Sequence, residues 1–366
     1  MRFVPMTQVR PGARLARTIY RDDGSVFVRS GKILTAFEIR RLADLGFPGV
    51  YVADPGEEDW PVPALISEAT RAAAVSRLWH AFRDLQQGRA LDVGSLYDVV
   101  DSIVDEILAD PRALIGLADV RTHDTYTFGH SVEVCVLCVA LGRELGLAPE
   151  RLRALGLGAL LHDIGKIGIP ADILRKPGRL TAAEWRVIQT HPRLGFDILR
   201  RYHEVPIPAA HVAYKHHERL DGSGYPRGLK EEGIHLYGKI SAVADTFDAM
   251  RSSRVYRPSI PVHQVLAFFQ RSRGVQFARD VVDSLLRVVA PYPIGTAVRL
   301  TTGEVGVVAG LLPGEPYRPI VRIMADGSGR KLDTVRYRDL CRERDVAIGG
   351  VLAGLEWAAE HAPGCR

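Results

Sequence analysis

Over residues 1–60 short apolar runs alternate with turns, and the pattern predicts a small α/β module. Arg14-Leu15-Ala16, Thr18-Ile19-Tyr20 and Val26-Phe27-Val28, with the Asp-Asp-Gly turn at 22–24, read as short strands including a hairpin. Thr35-Ala36-Phe37-Glu38 then offers a helix start, because the Thr and Glu side chains can satisfy each other's free backbone N–H groups. That helix is expected to run to about Leu45, with Gly49-Val50-Tyr51-Val52 as a strand after it.

Pro61 and Pro63 mark a join, and the period then lengthens to that of helices. Over 61–112, Ala72, Val75, Leu78, Trp79, Phe82 and Leu85 share one face, and after Gly88 so do Leu96, Val99, Val100, Ile103 and Ile107. This is a helical linker. Its stripes suit a coil between two copies of the chain, hence a homodimer, and equally a helix packed on its own domain.

From 113 to 290 the signal is helical nearly throughout. Pro149 sits at a helix start, where its missing N–H costs nothing. The helix that follows is apolar on most of its surface through Leu152, Leu155, Leu157, Leu160 and Leu161, which makes it central. His162 and Asp163 fall at its C-terminal end, before Gly165, Gly168 and Pro170 break it. Thr181-Ala182-Ala183-Glu184 is a second capping box, with its helix leading to His191. Pro208 opens a helix ending in His216-His217, and Ile240, Val243, Ala244, Phe247 and Met250 mark the helix that carries Asp245.

Beyond Pro291 alternation returns. Thr296-Val298-Leu300 and Val305-Val307-Val308 flank Thr-Thr-Gly, and Ile320-Val321-Arg322-Ile323 precedes Asp326-Gly327. A small β-barrel or half-barrel over 291–366 is the simplest reading. The fold class is therefore mainly α, with a small α/β module before the helical domain and a small β-rich module after it.

Composition narrows the setting. A chain of 366 residues implies two or three domains, and 46% apolar with 25% charged residues is the balance of a soluble globular protein. No run approaches the ~20 apolar residues of a membrane span, and Met1-Arg2-Phe3-Val4-Pro5 has no signal character, so a cytoplasmic protein is expected. A formal charge of +5 suits an anionic ligand. The basic residues are scattered, however, and neither DNA nor RNA is the expected partner. Cys135, Cys138, Cys341 and Cys365 make no disulfide framework. Cys135 and Cys138 have the gap of a metal knuckle but lie in an apolar helix with no second pair, and read as buried thiols.

The candidate chemistry lies in the helical domain. Most of His130, His162, Asp163, His191, His216, His217 and Asp245 sit at or near ends of apolar helices, while His80, His123, His203, His211, His235, His263 and His361 read as ordinary surface or core residues. Imidazoles with a few carboxylates suit Fe, Mn, Zn or Ni, since Mg and Ca prefer oxygen shells. Seven candidates exceed what one tetrahedral ion uses, so two ions are implied, with Asp163 able to bridge them. A pair of ions about 3.5–4 Å apart suits in-line displacement at phosphorus. Neighbours on a helix diverge by about 100°, so His162-Asp163 and His216-His217 are expected to reach neighbouring ions rather than chelate one together. Lys166, one turn after His162, is placed to bind a phosphate oxygen or protonate a leaving alkoxide.

His162-Asp163-Ile164-Gly165-Lys166, followed by His216-His217-Glu218-Arg219-Leu220-Asp221-Gly222-Ser223-Gly224-Tyr225-Pro226, resembles the HD-GYP family of bacterial cyclic di-GMP phosphodiesterases. Tyr126-Thr127-x-x-His130-Ser131, Lys176-Pro177-Gly178, Ala244-Asp245-x-x-Asp248-Ala249 and Arg254-x-Tyr256-Arg257 extend the likeness over about 113–290. The resemblance implies a helical HD-superfamily fold and a bimetallic centre, often iron or manganese. His130, His162, Asp163 and Asp245 would match the general HD site, and His191, His216 and His217 would complete a second ion with Asp163 shared. A metal-bridging hydroxide would attack cyclic di-GMP and yield pGpG, or GMP after a second cut. Tyr225, Arg254 and Arg257 match positions that contact the dinucleotide, in keeping with stacking by Tyr and forked hydrogen bonds from Arg. Tyr126 stands where some members carry a Glu that binds a third metal, which implies two ions here. Phe277-Ala278-Arg279 replaces a more usual Phe-Asp-Pro, a change expected to affect a helix start rather than chemistry.

Two other readings stay open: a cyclic di-GMP receptor with negligible turnover, against which the full ligand set argues, and a hydrolase of another cyclic dinucleotide such as cyclic GMP-AMP. The N-terminal and C-terminal modules resemble segments that flank this domain elsewhere, and neither declares a ligand.

Overall fold

Five short strands, in a three-stranded sheet and a hairpin, and one α-helix build the N-terminal module among the described residues. The computed structural model describes residues 2–352 apart from Arg17, 22–24, Pro48, 54–64, 111–125, Arg175, Pro177, 252–259 and Pro313. Strand β1 (Arg2–Pro5) pairs antiparallel with β5 (Gly49–Ala53), which pairs on its other side with β2 (Arg14–Leu15). Strands β3 (Ile19–Tyr20) and β4 (Val26–Val28) form the expected hairpin, whose 22–24 turn lies outside the described residues. Helix α1 (Ala36–Asp44) starts at Thr35 with both halves of the capping box made. Leu15, Leu34, Leu42 and Val50 form the centre of a core belonging to this module.

The helical domain begins with α2 (Glu68–Gln86) and α3 (Val93–Ala109). The α3 stripe is buried in the same core as the helices that follow, together with Leu78 and Phe82 of α2; Val75 and Leu85 are partly buried against it, and Arg71 on α2 forms an ion pair with the buried Glu133. The α3 stripe is thus covered within the chain, and the α2 stripe in part.

Helices α4 (Tyr126–Glu144), α5 (Pro149–Leu160), α6 (Ala171–Leu174), α7 (Ala182–Ile188), α8 (His191–Leu199) and α9 (Ile207–Lys215) come next. They are followed by α10 (Leu236–Arg251), α11 (Val262–Ser272) and α12 (Arg279–Val288). Helix α5 is central: Leu152, Leu155, Leu157 and Leu160 are fully buried, and the helix packs on α3, α4 and α9. At the Phe277-Ala278-Arg279 departure, α12 starts at Arg279 with Ala278 as an N-cap that offers no side-chain acceptor.

The C-terminal module is an antiparallel sheet in the order β10-β6-β7-β8-β9. Its strands are β6 (Ala297–Leu300), β7 (Val305–Gly310), β8 (Ile320–Ala325), β9 (Lys331–Asp339) and β10 (Ile348–Val351). Val298, Leu300, Val308, Val321 and Ile323 supply its own small core. No described helix is long and apolar enough to cross a membrane.

Candidate metal centre

All seven metal-ligand candidates named from the sequence converge at the middle of the helical domain. They form three overlapping groups whose ligand atoms lie within 4.8 Å of one another: His130, His162 and Asp245; His162, Asp163 and His216; and His191, His216 and His217. Helix α4 contributes His130, α10 contributes Asp245, and α8 begins at His191.

His162-Asp163 and His216-His217 lie just past the ends of α5 and α9 rather than inside them. That position corrects the expectation that adjacent residues diverge. Off the helix, His162 Nε2 and Asp163 Oδ2 are 3.4 Å apart, and the rings of His216 and His217 are 4.0 Å apart. At Leu161 and Asp163, with ψ of 9° and 7°, the backbone has left the α-helix, and the 100° rotation that would separate neighbours no longer holds there.

The His162-Asp163 turn runs into a 3-10 helix at Ile164–Gly168, which packs against α8. Gly165 makes that contact feasible: a Cβ there would lie 2.0 Å from the His191 carbonyl oxygen and 2.4 Å from Gly195 N. Glycine at 165 therefore lets two backbones meet and sets Asp163 beside His191. Asp163 Oδ1 stands 3.3 Å from His191 Nε2 and 3.9 Å from His216 Nε2.

Hydrogen bonds aim the imidazoles. The Nδ1 atoms of His162, His191 and His216 donate to the carbonyls of Ala159, Ile188 and Ala213 at 2.7, 2.7 and 2.9 Å. A carbonyl only accepts, so Nδ1 carries the proton and each Nε2 turns a lone pair to the centre. His130 is held by a carboxylate instead: its Nδ1 donates to Asp248 Oδ2 at 2.7 Å, and its Nε2 faces Asp245 Oδ1 at 3.1 Å.

The electrostatics divide the imidazoles. Burial opposes charge on His130, but the hydrogen bonds to Asp245 and Asp248 outweigh it and raise its pKa to about 9. Burial, opposed only in part by Asp163, lowers His191 to about 4. Burial with the neighbouring His162 and His191 lowers His216 to about 3, and burial with His216 holds His217 well below its ordinary value. For Asp163, burial is outweighed by Lys166 and the imidazoles around it, and its carboxyl stays well below the usual range. Asp245 follows the same course through His130 and His217. Near neutral pH the cluster therefore offers neutral nitrogens from His191, His216 and His217 beside two carboxylates.

Two atoms are left without a hydrogen bond at the middle of this buried cluster, His162 Nε2 and Asp163 Oδ1. Buried polar atoms are rarely left so, because desolvation without a partner costs about 1–3 kcal/mol. Neutral imidazoles, paired carboxylates and these two inward-facing acceptors fit a divalent transition-metal site.

Lys166 forms an ion pair with Asp163. Tyr225 lies over His217, ring centroids 4.5 Å apart and planes at 28°. Its loop is pinned by Glu218, 1% exposed, whose carboxylate accepts from Arg227 N at 2.9 Å and Leu229 N at 2.8 Å. Gly224 permits the close turn: a Cβ there would meet Arg219 N, Glu218 Cα and the His217 carbonyl at 2.4–2.5 Å. Arg254 and Arg257, expected to contact a dinucleotide, lie outside the described residues.

Asp248, Glu218 and Arg251 belong to the site without being among its sequence-predicted members. Asp248 follows Asp245 by three residues on a helix, a spacing that puts both on one face and was available as a signal. Arg251 Nη2 bonds Asp248 Oδ1 at 3.1 Å, one step further along that face. Cys135 and Cys138 take no part: both are fully buried, and burial pushes the Cys135 thiol up to about 12.

Known proteins resemble this chain in sequence and in fold. An HD domain family matches residues 105–281, and a KOW domain associated with HD domain matches residues 297–359. A cyclic di-GMP phosphodiesterase of Pseudomonas aeruginosa is 39% identical over 252 residues, covering 69% of this chain and 60% of the relative. A 3'3'-cGAMP-specific phosphodiesterase of Vibrio cholerae is 40% identical over 163 residues, covering 44% of this chain and 37% of the relative. The chain thus spans 60% and 37% of the length of these two curated relatives. Among solved structures, an HDG"Y"P protein from Bdellovibrio bacteriovorus shares the fold with a TM-score of 0.51 at 17% identity, covering 77% of this chain and 97% of that one.

Proposed function

The chain carries an HD domain and belongs to the HD-GYP family, and from that premise we propose that it is a metal-dependent phosphodiesterase that hydrolyses cyclic di-GMP to pGpG, GMP or both. The observation that carries this reading is the pair of unbonded acceptors, His162 Nε2 and Asp163 Oδ1, inside three overlapping ligand groups.

His130, His162, Asp163 and Asp245 would hold one divalent ion, and His191, His216 and His217 a second, with Asp163 shared; the donor set suits iron, manganese, zinc or nickel, and the family resemblance favours iron or manganese. When bound, such ions supply Lewis acidity and a water activated near neutral pH. The protein's own groups do the rest. Carbonyl partners on Nδ1 keep His162, His191 and His216 in the tautomer that presents Nε2. Formation of pGpG leaves phosphate on a 5' oxygen, so the bond broken is that between phosphorus and the 3' oxygen. Lys166, part-exposed beside Asp163, supplies an ammonium to the phosphate or a proton to that leaving oxygen. Tyr225 offers a ring to guanine, and Arg254 and Arg257 offer guanidinium forks to phosphate or to guanine O6 and N7.

Metal analysis of anaerobically purified protein, combined with cyclic di-GMP hydrolysis and an Asp163→Ala control, tests the proposal. About two ions per chain and turnover abolished in the variant are expected. Full metal content without turnover would overturn the substrate, and tight dinucleotide binding by a metal-free protein would leave a receptor.

The similarity to a 3'3'-cGAMP-specific enzyme supports a second reading, hydrolysis of the hybrid dinucleotide. The ratio of kcat/KM for the two cyclic dinucleotides decides between them.

A further inference from the structure

One large aromatic side chain beside the centre has no role in the chemistry above. Trp185, on α7, is 45% exposed. Its ring centroid lies 6.1 Å from that of Tyr225, with the planes at 76°. Tyr225 in turn lies flat over His217 at 4.5 Å and edge-on to His191 at 6.4 Å. A line of rings therefore runs outward from two metal-ligand candidates, and its outermost member is turned nearly through a right angle.

The ring is exposed, yet its base is firmly held. The Thr181–Glu184 capping box closes the start of α7, and Glu184 accepts from Lys176 Nζ at 2.8 and 2.7 Å. Trp185 is the next residue, and its own N–H donates to the Thr181 carbonyl at 2.9 Å. An edge-to-face contact with Tyr225 covers an edge of one ring and leaves indole surface in water, a costly way to use the largest apolar side chain. Two rings at 76° instead make a corner. A planar base laid on the indole would turn its edge toward Tyr225, which suits the quadrupoles of both rings.

We propose that Trp185 is a substrate-binding residue, a second stacking surface that takes one purine of a cyclic dinucleotide while a phosphate occupies the His/Asp cluster. This inference rests on the dinucleotide reading above and deepens it. Tyr225 and Trp185 together recognise a base next to the scissile diester, which separates dinucleotides from phosphodiesters that lack bases. Stacking on an aromatic side chain tolerates any base, so the pair sets affinity for nucleotides more than choice among purines.

The test titrates a hydrolysis-resistant phosphorothioate analogue of cyclic di-GMP into the metal-loaded full chain and reads tryptophan fluorescence. The chain has four tryptophans, Trp60, Trp79, Trp185 and Trp357, so assignment of the signal needs the variants. Stacked guanine quenches indole emission: a saturable quench is expected in the wild type and none in Trp185→Phe, which still binds within about threefold because Phe can stack. Trp185→Ala should bind about five- to a hundredfold more weakly and raise KM for cyclic di-GMP rather than lower kcat. A quench that persists in Trp185→Phe, or a Trp185→Ala affinity within about twofold of wild type, overturns the inference while leaving the phosphodiesterase reading intact. A wild-type protein that neither binds the analogue nor hydrolyses cyclic di-GMP overturns both. Should Trp185→Ala fail to fold, Trp185→Leu keeps the bulk without the π face and must show the same loss of affinity.

Discussion

His130 Nδ1 donates to Asp248 Oδ2 at 2.7 Å, and this one bond fixes which face the imidazole shows to the metal-ligand cluster. His162, His191 and His216 spend Nδ1 on carbonyls, whereas His130 spends it on a buried carboxylate, itself steadied by Arg251 at 3.1 Å. A carboxylate behind a ligating imidazole raises its basicity and locks its orientation. Asp248→Asn is therefore expected to weaken metal binding by about ten- to a hundredfold with the fold retained. Competition titration against a chromophoric chelator, with circular dichroism alongside, checks it; unchanged affinity would deny Asp248 this role.

Gly165 sets a second, steric condition. Alanine there would bring its Cβ to 2.0 Å from the His191 carbonyl, and backbone cannot yield as a flexible side chain does. Gly165→Ala should cost about 3 kcal/mol, toward the upper end of the range for overpacking, and should lower metal content because Asp163 and His191 are pushed apart. Urea unfolding and metal analysis of the variant measure the two effects separately.

Apolar periodicity made most helices legible, since burial on one face leaves a period of 3.6 whatever the partner. Both capping boxes, at Thr35 and Thr181, formed as read because they depend on four adjacent residues. The seven ligand candidates could be named from positions mostly at helix ends and from the motifs that resemble the HD-GYP family, and the structure gathers all of them. What the pattern could not carry was the partner and the path of the chain between elements. The stripes of α2 and α3 suit a second copy as well as their own core, and only the folded chain shows the α3 stripe, with Leu78 and Phe82 of α2, buried with α4 and α5. The convergence of His162 with Asp163 depends on the backbone leaving the α-helix after Leu160, a step spacing cannot reveal. Glu218 reads as one more charge after two histidines. Its burial and its hold on the N–H groups of Arg227 and Leu229 belong to tertiary structure.

That hold makes Glu218 a positioning residue for Tyr225. Both carboxylate oxygens accept, one from each N–H, and a Gln amide would turn its NH2 toward one of them. Losing one buried bond and facing two donors costs on the order of 1–3 kcal/mol. Glu218→Gln should raise KM for the dinucleotide about tenfold, with metal content unchanged. A loss of metal instead would mean that the loop supports the ligands rather than the ring.

Metal removal should make the protein acid-sensitive through the same imidazoles. In the metal-free chain His191 is lowered to about 4 and His216 to about 3, in both cases first by burial, while the unfolded chain protonates its histidines near 6.5. Between those values the unfolded state binds more protons, so stability falls as pH falls, fully present above about 6.5 and lost progressively toward 4. Each such imidazole contributes a slope of about 1.4 kcal/mol per pH unit. His130 has the opposite sign: raised to about 9, it contributes stability present below 6.5 and lost as pH rises through 9, so it does not offset the acid slope. Urea midpoints of chelator-stripped protein should therefore drop steeply from pH 6.5 to 4.5 and more gently from pH 7 to 9. Reloading the metal should delay the acid drop, because ligation and protonation compete for the same Nε2. A stripped protein equally stable at pH 7 and pH 5 would show that the cluster opens to water once its metal is gone, so that its imidazoles titrate as they do in the unfolded chain.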